Sequence, residues 1–437
     1  MNRIVGLAFF LLSCATILSA QNTIGGIVID KDTKEPMAFA AIGFMGTTVG
    51  TVSNSDGYFE MNLPDGYKNL QLQVSFLGYE TVLINSTEFG GKMRVAMTSS
   101  FVELSELVIR PLSPQDYIRR AVRSIPSNYS DAPFETEAYY REKITENGGF
   151  IALNEAYLKS FYPDYLDTVK NQHKVLLYRT AENIQEVQFM KQWTDKQKAK
   201  EERKQEKKAQ KNKSKEVEIK EEKVQKDTVN TTEAGFFAAN FGGLDQVFQS
   251  DLVKRLEDFL DSTRFKKYRY EFANGIKYLD RELLVIKFQS KGKVEHAKTE
   301  GHIYIDIMSD AIVAVDYLAE AFIPIAIRPL LFAFGISVDD IKYRKQLRYT
   351  QMKDTWYLKS MKIDIGAYIE KRHIFGTNEK SLFAVDQVFN VNKLSIENIK
   401  EIPEDYRYTS KKSIKTQVFN ETGLDWEDVN TVVLEEL

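Results

Sequence analysis

The chain has 437 residues, with 59 Lys+Arg against 62 Asp+Glu, a formal charge of −3, 43% hydrophobic and 12% aromatic residues. At roughly 100–200 residues per domain that is two to three domains with enough apolar mass for filled cores, and so even a charge balance offers nucleic acid no basic surface. One cysteine and four histidines exclude a disulfide framework and a thiolate zinc site within the chain, and disfavour a histidine-rich metal centre.

Residues 1–20 read as a secretory signal: Arg3 supplies the positive end, 4–12 the apolar core, and Leu18-Ser19-Ala20 a small-residue cleavage site before Gln21. The apolar core is too short to span a membrane. Leu11-Leu12-Ser13-Cys14 offers a competing lipoprotein-type cut, with Cys14 lipidated. The residues after Cys14 stay apolar where a lipoprotein tether is polar, so cleavage after Ala20 is the expectation. Either route exports the chain, to the periplasm or the outer membrane.

From Thr23 to Thr98 short β-rich runs alternate with turn residues: 24–30, 40–46, 48–54, 58–63, 70–77 and 80–84. Strands this short, with turns at such spacing, predict an antiparallel sandwich over 21–100. Asn54-Ser55-Asp56-Gly57 is a turn in which Asn and Asp bond their own backbone and glycine accepts positive φ. Gly26-x-Val28-x-Asp30, Pro36, Gly46-Thr47-Thr48, Gly50-Thr51, Asp56-Gly57-x-Phe59 and Val74-Ser75-x-x-Gly78-Tyr79 resemble, in order, the carboxypeptidase-regulatory-like domain, a transthyretin-like sandwich. Ser53-Asn54 stands where that family often has Thr-Asp. The stretch 104–109 resembles the acidic-apolar link that follows this domain in TonB-dependent receptors. The resemblance implies an accessory module, not a peptidase. A zinc carboxypeptidase needs His-x-x-Glu and a distant histidine, and none of His173, His296, His302 and His373 has glutamate three positions on.

Within a linker over 101–130, Ser113 is placed to cap a helix over 113–124, with Pro114 at its first position and Tyr117, Ile118, Ala121 and Val122 at helical spacing. The region 131–405 then shows long strands, many alternating apolar with polar residues. Ile303, Ile305 and Ile307 fall on one face and His302, Tyr304 and Asp306 on the other, as in an antiparallel sheet with one packed and one wetter face. Tyr278-Leu279-Asp280 and Met308-Ser309-Asp310 are expected hairpin corners. A charged insert occupies 191–230. Between Lys191 and Thr228 it carries 14 Lys/Arg and 9 Asp/Glu with almost no aliphatics, so it is a solvated helix or disordered. Its surplus of positive charge leaves contact with an anionic surface open. A capped helix is expected near Asp251–Leu260, and 406–437 is a C-terminal tail.

An apolar run over 322–335, with two prolines and an arginine, is a poor spanning helix. It either packs under the sheet or meets a ligand, partner or membrane. In the second case Phe322, Ile325, Leu331, Phe332 and Phe334 are the ligand-binding residues.

No nucleophile elbow, P-loop or dinucleotide fingerprint is present. His296, Glu300, His302 and Asp306 are the nearest approach to a ligand cluster, with a turn between the first two and the rest. Asp339-Asp340 and Glu435-Glu436 read as solvated pairs, and no serine has an evident histidine partner. A carboxylate-pair hydrolase stays open in principle. The expectation is therefore a mainly β, non-enzymatic, cofactor-free and metal-free envelope protein: an N-terminal sandwich, then a larger antiparallel curved sheet with a few helices. By strand pattern alone the second part is similar to the half-barrels of periplasmic lipoprotein carriers. It would bind or scaffold a lipid, a hydrophobic peptide or an outer-membrane protein; the alternative is a structural subunit of an outer-membrane assembly without a small ligand.

Overall fold

The computed structural model describes residues 23–64, 66–102, 112–166, 171–182, 243–256, 258–323, 336–371 and 378–435. The signal read at 1–20, the link at 104–109 and the charged insert at 191–230 lie outside them.

Alternation at period two builds the first unit. Strands β1 (Thr23–Asp30), β2 (Ala41–Phe44), β3 (Gly50–Val52), β4 (Tyr58–Asn62), β5 (Gln71–Ser75), β6 (Val82–Asn85) and β7 (Lys92–Met97) form two sheets, ordered β4-β1-β7 and β3-β2-β5-β6. Val28, Ile42, Phe44, Phe59, Leu72, Val74 and Met97 meet between the sheets at 2% exposure or less. Each such side chain contributes about 1.5–3 kcal/mol by leaving water. Gly57 turns the chain into β4 at φ 77°, and a Cβ there would stand 2.6 Å from the Val28 carbonyl oxygen, so glycine is needed for both conformation and space. The sequence reading missed β7. It lies parallel to β1, a pairing between segments far apart in the chain that local periodicity cannot announce.

The second unit is one open, curved sheet. It contains β8 (Phe101–Val102), β9 (Phe134–Glu146), β10 (Gly149–Tyr162), β11 (Gln172–Glu182), β12 (Tyr268–Tyr278), β13 (Arg281–Ser290), β14 (Ala297–Asp306), β15 (Ile312–Ala321), β16 (Ile336–Met352), β17 (Thr355–Lys371) and β18 (Glu379–Ser395). The order is β11-β10-β9-β18-β17-β16-β15-β14-β13-β12-β8, and every pair is antiparallel. Both expected hairpin corners are present, with Leu279, Asp280 and Asp310 at positive φ.

Ile303 and Ile305 do share the packed face, at 1% exposure or less. Against this inner face lie α1 (Pro114–Arg123), α2 (Ile125–Asn128), α3 (Leu244–Phe248) and α4 (Leu252–Arg255). Ser113 caps α1 through the Asp116 amide, in a capping box with the Asp116 side chain. The helix expected near Asp251–Leu260 is shorter: Asp251 caps α4, but Leu256 takes a left-handed conformation at φ 47° and ends it. Leu252, Val253, Phe259 and Leu260 are at most 1% exposed beneath the sheet, and Phe259 stacks on Phe288 with centroids 4.1 Å apart. The hydroxyls of Tyr165 and Tyr349 donate to the Asp251 carboxylate at 2.5 and 2.8 Å, which satisfies a charge that would be costly if unpaired.

The outer face carries the sandwich. Phe39 and Val52 from the sandwich, Tyr139, Tyr157, Leu176, Leu177 and Val388 from the sheet, and Val429 and Val432 from the C-terminal segment form one buried cluster. That segment first follows the edge strand β11, where Tyr408 N–H donates to the His173 carbonyl at 2.7 Å and Phe419 N–H to that of Val175 at 2.9 Å. It then passes between sheet and sandwich. Thr51 Oγ1 donates to the Thr431 carbonyl at 3.0 Å, Asn62 N–H to Asn430 Oδ1 at 2.7 Å, and Asn392 Nδ2 to the Asn430 carbonyl at 2.6 Å. Lys359 Nζ donates to the Thr48 carbonyl at 3.1 Å and to that of Val391, and burial lowers its pKa to about 8.

Candidate functional site

Where the outer face leaves the sandwich, strands β13–β16 bring polar side chains into register. Lys287, His302, Asp316 and Gln346 stand directly opposite one another across the four strands. The next row is Gln289, Glu300, Leu318 and Arg344. Seven of these eight, with Gly301 and Tyr317, line a cavity of about 390 Å³. A Cβ on Gly301 would lie 2.2 Å from the Asp316 carbonyl oxygen and 2.5 Å from Tyr317 Cβ, so glycine permits the close approach of β15 here.

The two carboxylates of the cavity are already engaged. Asp316 takes a bidentate pair from the buried Arg348, with Nη2 to Oδ2 at 2.9 Å, and Glu300 accepts from Gln289 Nε2 at 3.0 Å. Burial lowers the His302 pKa, while the Asp316 charge pulls the other way; the net lowering leaves the ring neutral at neutral pH. Leu318 lies in the cavity at 43% exposure. The cavity therefore offers hydrogen-bond donors and one apolar contact, with no nucleophile placed against a base.

A second polar group lies further along the same face. Asp364 and Asp386 are direct cross-strand partners, bridged by Lys362 Nζ at 3.6 and 3.3 Å. Partial burial pushes the Asp364 carboxyl up to about 6 against the pull of Lys362, and the neighbouring Asp386 adds to the rise. Beside it Glu435 pairs with Arg141 at 3.0 Å and Lys143 at 3.5 Å, so Glu435 anchors the C-terminal segment; Glu436 lies outside the described residues.

The sequence reading found no serine with a histidine partner, and the fold supplies one. Ser160 Oγ and His173 Nδ1 are 2.8 Å apart across β10 and β11. Ser160 is fully buried, and Phe248 stacks flat on the imidazole with centroids 3.6 Å apart. Burial, helped by the Lys254 charge, lowers the His173 pKa to about 3, and burial likewise lowers Lys254 to about 8, with its ammonium 4.1 Å from the Tyr162 ring centroid. This pair is packed against protein, as a core contact is.

Of the ligand-binding residues expected at 322–335, Phe322 is described. It is half-buried at the end of β15, its N–H donates to the His296 carbonyl at 2.7 Å, and its ring lies 3.5 Å from Lys293 Nζ. Ile325, Leu331, Phe332 and Phe334 lie outside the described residues. The other expected cluster does not converge. His296 sits in a turn at φ 68°, Asp306 is taken by Arg281 at 3.1 Å and by Ser309, and no three potential ligands gather to hold a metal among the described residues. Asp339 and Asp340 are exposed on β16. Sequence reasoning missed Lys287, Asp316, Leu318, Arg344 and Gln346. Their signal is the polar period-two face of each strand, which carries no information on the register between strands.

Residues 24–109 match the family model of the CarboxypepD_reg-like domain, in agreement with the motifs read at 23–98. No curated protein matches the chain. A DUF1329 family protein from Desulfovibrio piger is similar at 11% identity and TM-score 0.24, over 66% of this chain and 93% of that one. A putative membrane-associated protein of unknown function from Bacteroides fragilis is similar at 8% identity and TM-score 0.14, over 85% of this chain and 98% of the other. Likenesses at this level carry no argument about function. No helix among the described residues is long and apolar enough to cross a membrane.

Proposed function

We propose that the protein is an exported, non-catalytic scaffold of the cell envelope that holds a partner protein on the composite outer surface of sandwich and sheet. The observation that carries this reading is the buried seam between the two units, where the C-terminal segment is interleaved and Val432 and Val52 are 2% exposed or less. A freely tethered accessory module would not need such a seam; one rigid surface drawn from both units does. The leader read at 1–20 supports export, and the inner face filled by the chain's own helices argues against an acyl chain held beneath that part of the sheet.

A photo-crosslinking amino acid at Leu318, compared with one at the solvent-facing Lys353, tests it in the native envelope. A discrete adduct at Leu318 alone is the expected result. Absence of an adduct, together with stoichiometric lipid in a solvent extract of the purified protein, would overturn the reading.

A second reading keeps a hydrophobic ligand at the rim where β15 ends, favoured by Phe322 being only half-buried with a lysine ammonium against its ring. There Phe322, Ile325, Leu331, Phe332 and Phe334 would contact the ligand, and Phe332→Ser with Phe334→Ser would abolish lipid co-purification.

A further inference from the structure

Two cationic donors of the β13–β16 cavity carry no direct bond. Lys287 and Arg344 are exposed, line the cavity, and form no hydrogen bond or ion pair among the described residues. The acids that would ordinarily neutralise them are committed elsewhere. Asp316 is held by Arg348 on the neighbouring strand, Glu300 is bonded to Gln289, and Asp364, across the strand from Arg344 and within reach of its charge, is bridged by Lys362. The lining of this concavity of about 390 Å³ therefore holds two cations, Lys287 and Arg344, and two carboxylates, Glu300 and Asp316, the second neutralised by Arg348 from outside the lining. Gln346 adds an amide from the same row as His302. Leu318, at 43% exposure, gives an apolar surface to the non-polar part of a guest.

We infer that this cavity binds a small oxyanion-bearing molecule, a carboxylate or a phosphate ester, whose anionic group sits between Lys287 and Arg344. The planar guanidinium of Arg344 presents paired donors that match two oxygens of either group, and the Lys287 ammonium adds a mobile point charge from β13, directly opposite His302. The committed acids keep the cavity from collapsing onto its own ion pairs. The cavity lies on the outer surface assigned above to a partner, with Leu318 common to both, but anion binding by the isolated protein requires no partner, so the titration and the crosslink can fail independently.

His302 in the cavity wall is a built-in reporter. In the full-length, 15N-labelled protein its imidazole signal is assigned by its loss in His302→Gln. The protein is titrated with inorganic phosphate in one arm and succinate in the other, at constant ionic strength. The expected result is a saturable His302 shift in the millimolar range with at least one anion; the arm that saturates identifies the class. In Lys287→Gln/Arg344→Gln the affinity falls by about tenfold or more, as expected for losing charge-assisted hydrogen bonds. The His173 signal should stay in place, reporting an intact fold. No saturable shift with either anion, or an equal shift in the double variant, overturns the inference.

Discussion

The two faces of the large sheet solve different problems with the same alternating strands. The inner face is covered from within the chain: α1–α4 and the turns after them lay Ile118, Leu252, Phe259 and Leu260 against it at 1% exposure or less. The outer face is covered only in part. The sandwich and the C-terminal segment cover β9–β11 and β18, while β13–β16 keep an open polar grid. The difference shows that stability and recognition are divided between the faces: one buries rings and aliphatics, and the other exposes charges held in register by the first.

Three experiments test that division of labour. The largest effect is expected at the inner face. Phe259→Ala removes a ring that is 1% exposed and stacked on Phe288, and should cost about 3–5 kcal/mol in denaturant unfolding. A loss below about 1 kcal/mol would mean the helices are not the main support of the sheet.

The second is a matter of sign, because each face holds a titrating group shifted in a different way. On the inner face, His173 has its pKa lowered by burial to about 3, so the unfolded chain binds a proton that the folded one refuses between about 6.5 and 3. Its contribution is present above pH 6.5 and is lost as pH falls through that window. His173→Gln should therefore flatten the acid limb of a stability–pH profile, and an unchanged slope would contradict the buried neutral ring.

The smallest is the outer-face counterpart. Asp364 has its carboxyl raised to about 6 by partial burial, Asp386 adding to the rise, so the fold prefers it protonated. Stability is highest below the ordinary carboxylate range and declines as pH rises through about 6. Asp364 keeps 39% side-chain exposure, so solvent screening holds the effect to about 1 kcal/mol or less. Asp364→Asn should raise the melting temperature at pH 8 and leave it unchanged near pH 4; equal effects at both would remove the carboxyl pair from the account.

The strands themselves were legible because a half-buried strand writes its own period. β13 spans Arg281–Ser290, a run from Leu283 to Phe288 that is apolar but for Lys287, closed by polar residues at both ends, and Ser113-Pro114 marks the start of α1 by capping chemistry alone. The motif order of the sandwich was likewise readable, since turns such as Asn54–Gly57 are fixed by residues adjacent in sequence. The short span of α4 was not, because the left-handed Leu256 that ends it carries no glycine to announce the break.

Sequence alone thus determined which segments extend and which side chains share a face, since both follow from bonds within a few residues. Tertiary structure decided the rest: that β18 returns to pair with β9, that β7 runs parallel to β1, that the C-terminal residues fill a seam, and that Lys287, His302, Asp316 and Gln346 fall in one line. Those outcomes depend on register between strands and on which surface meets which. They are set by the total burial of the folded chain and cannot be read from any one segment.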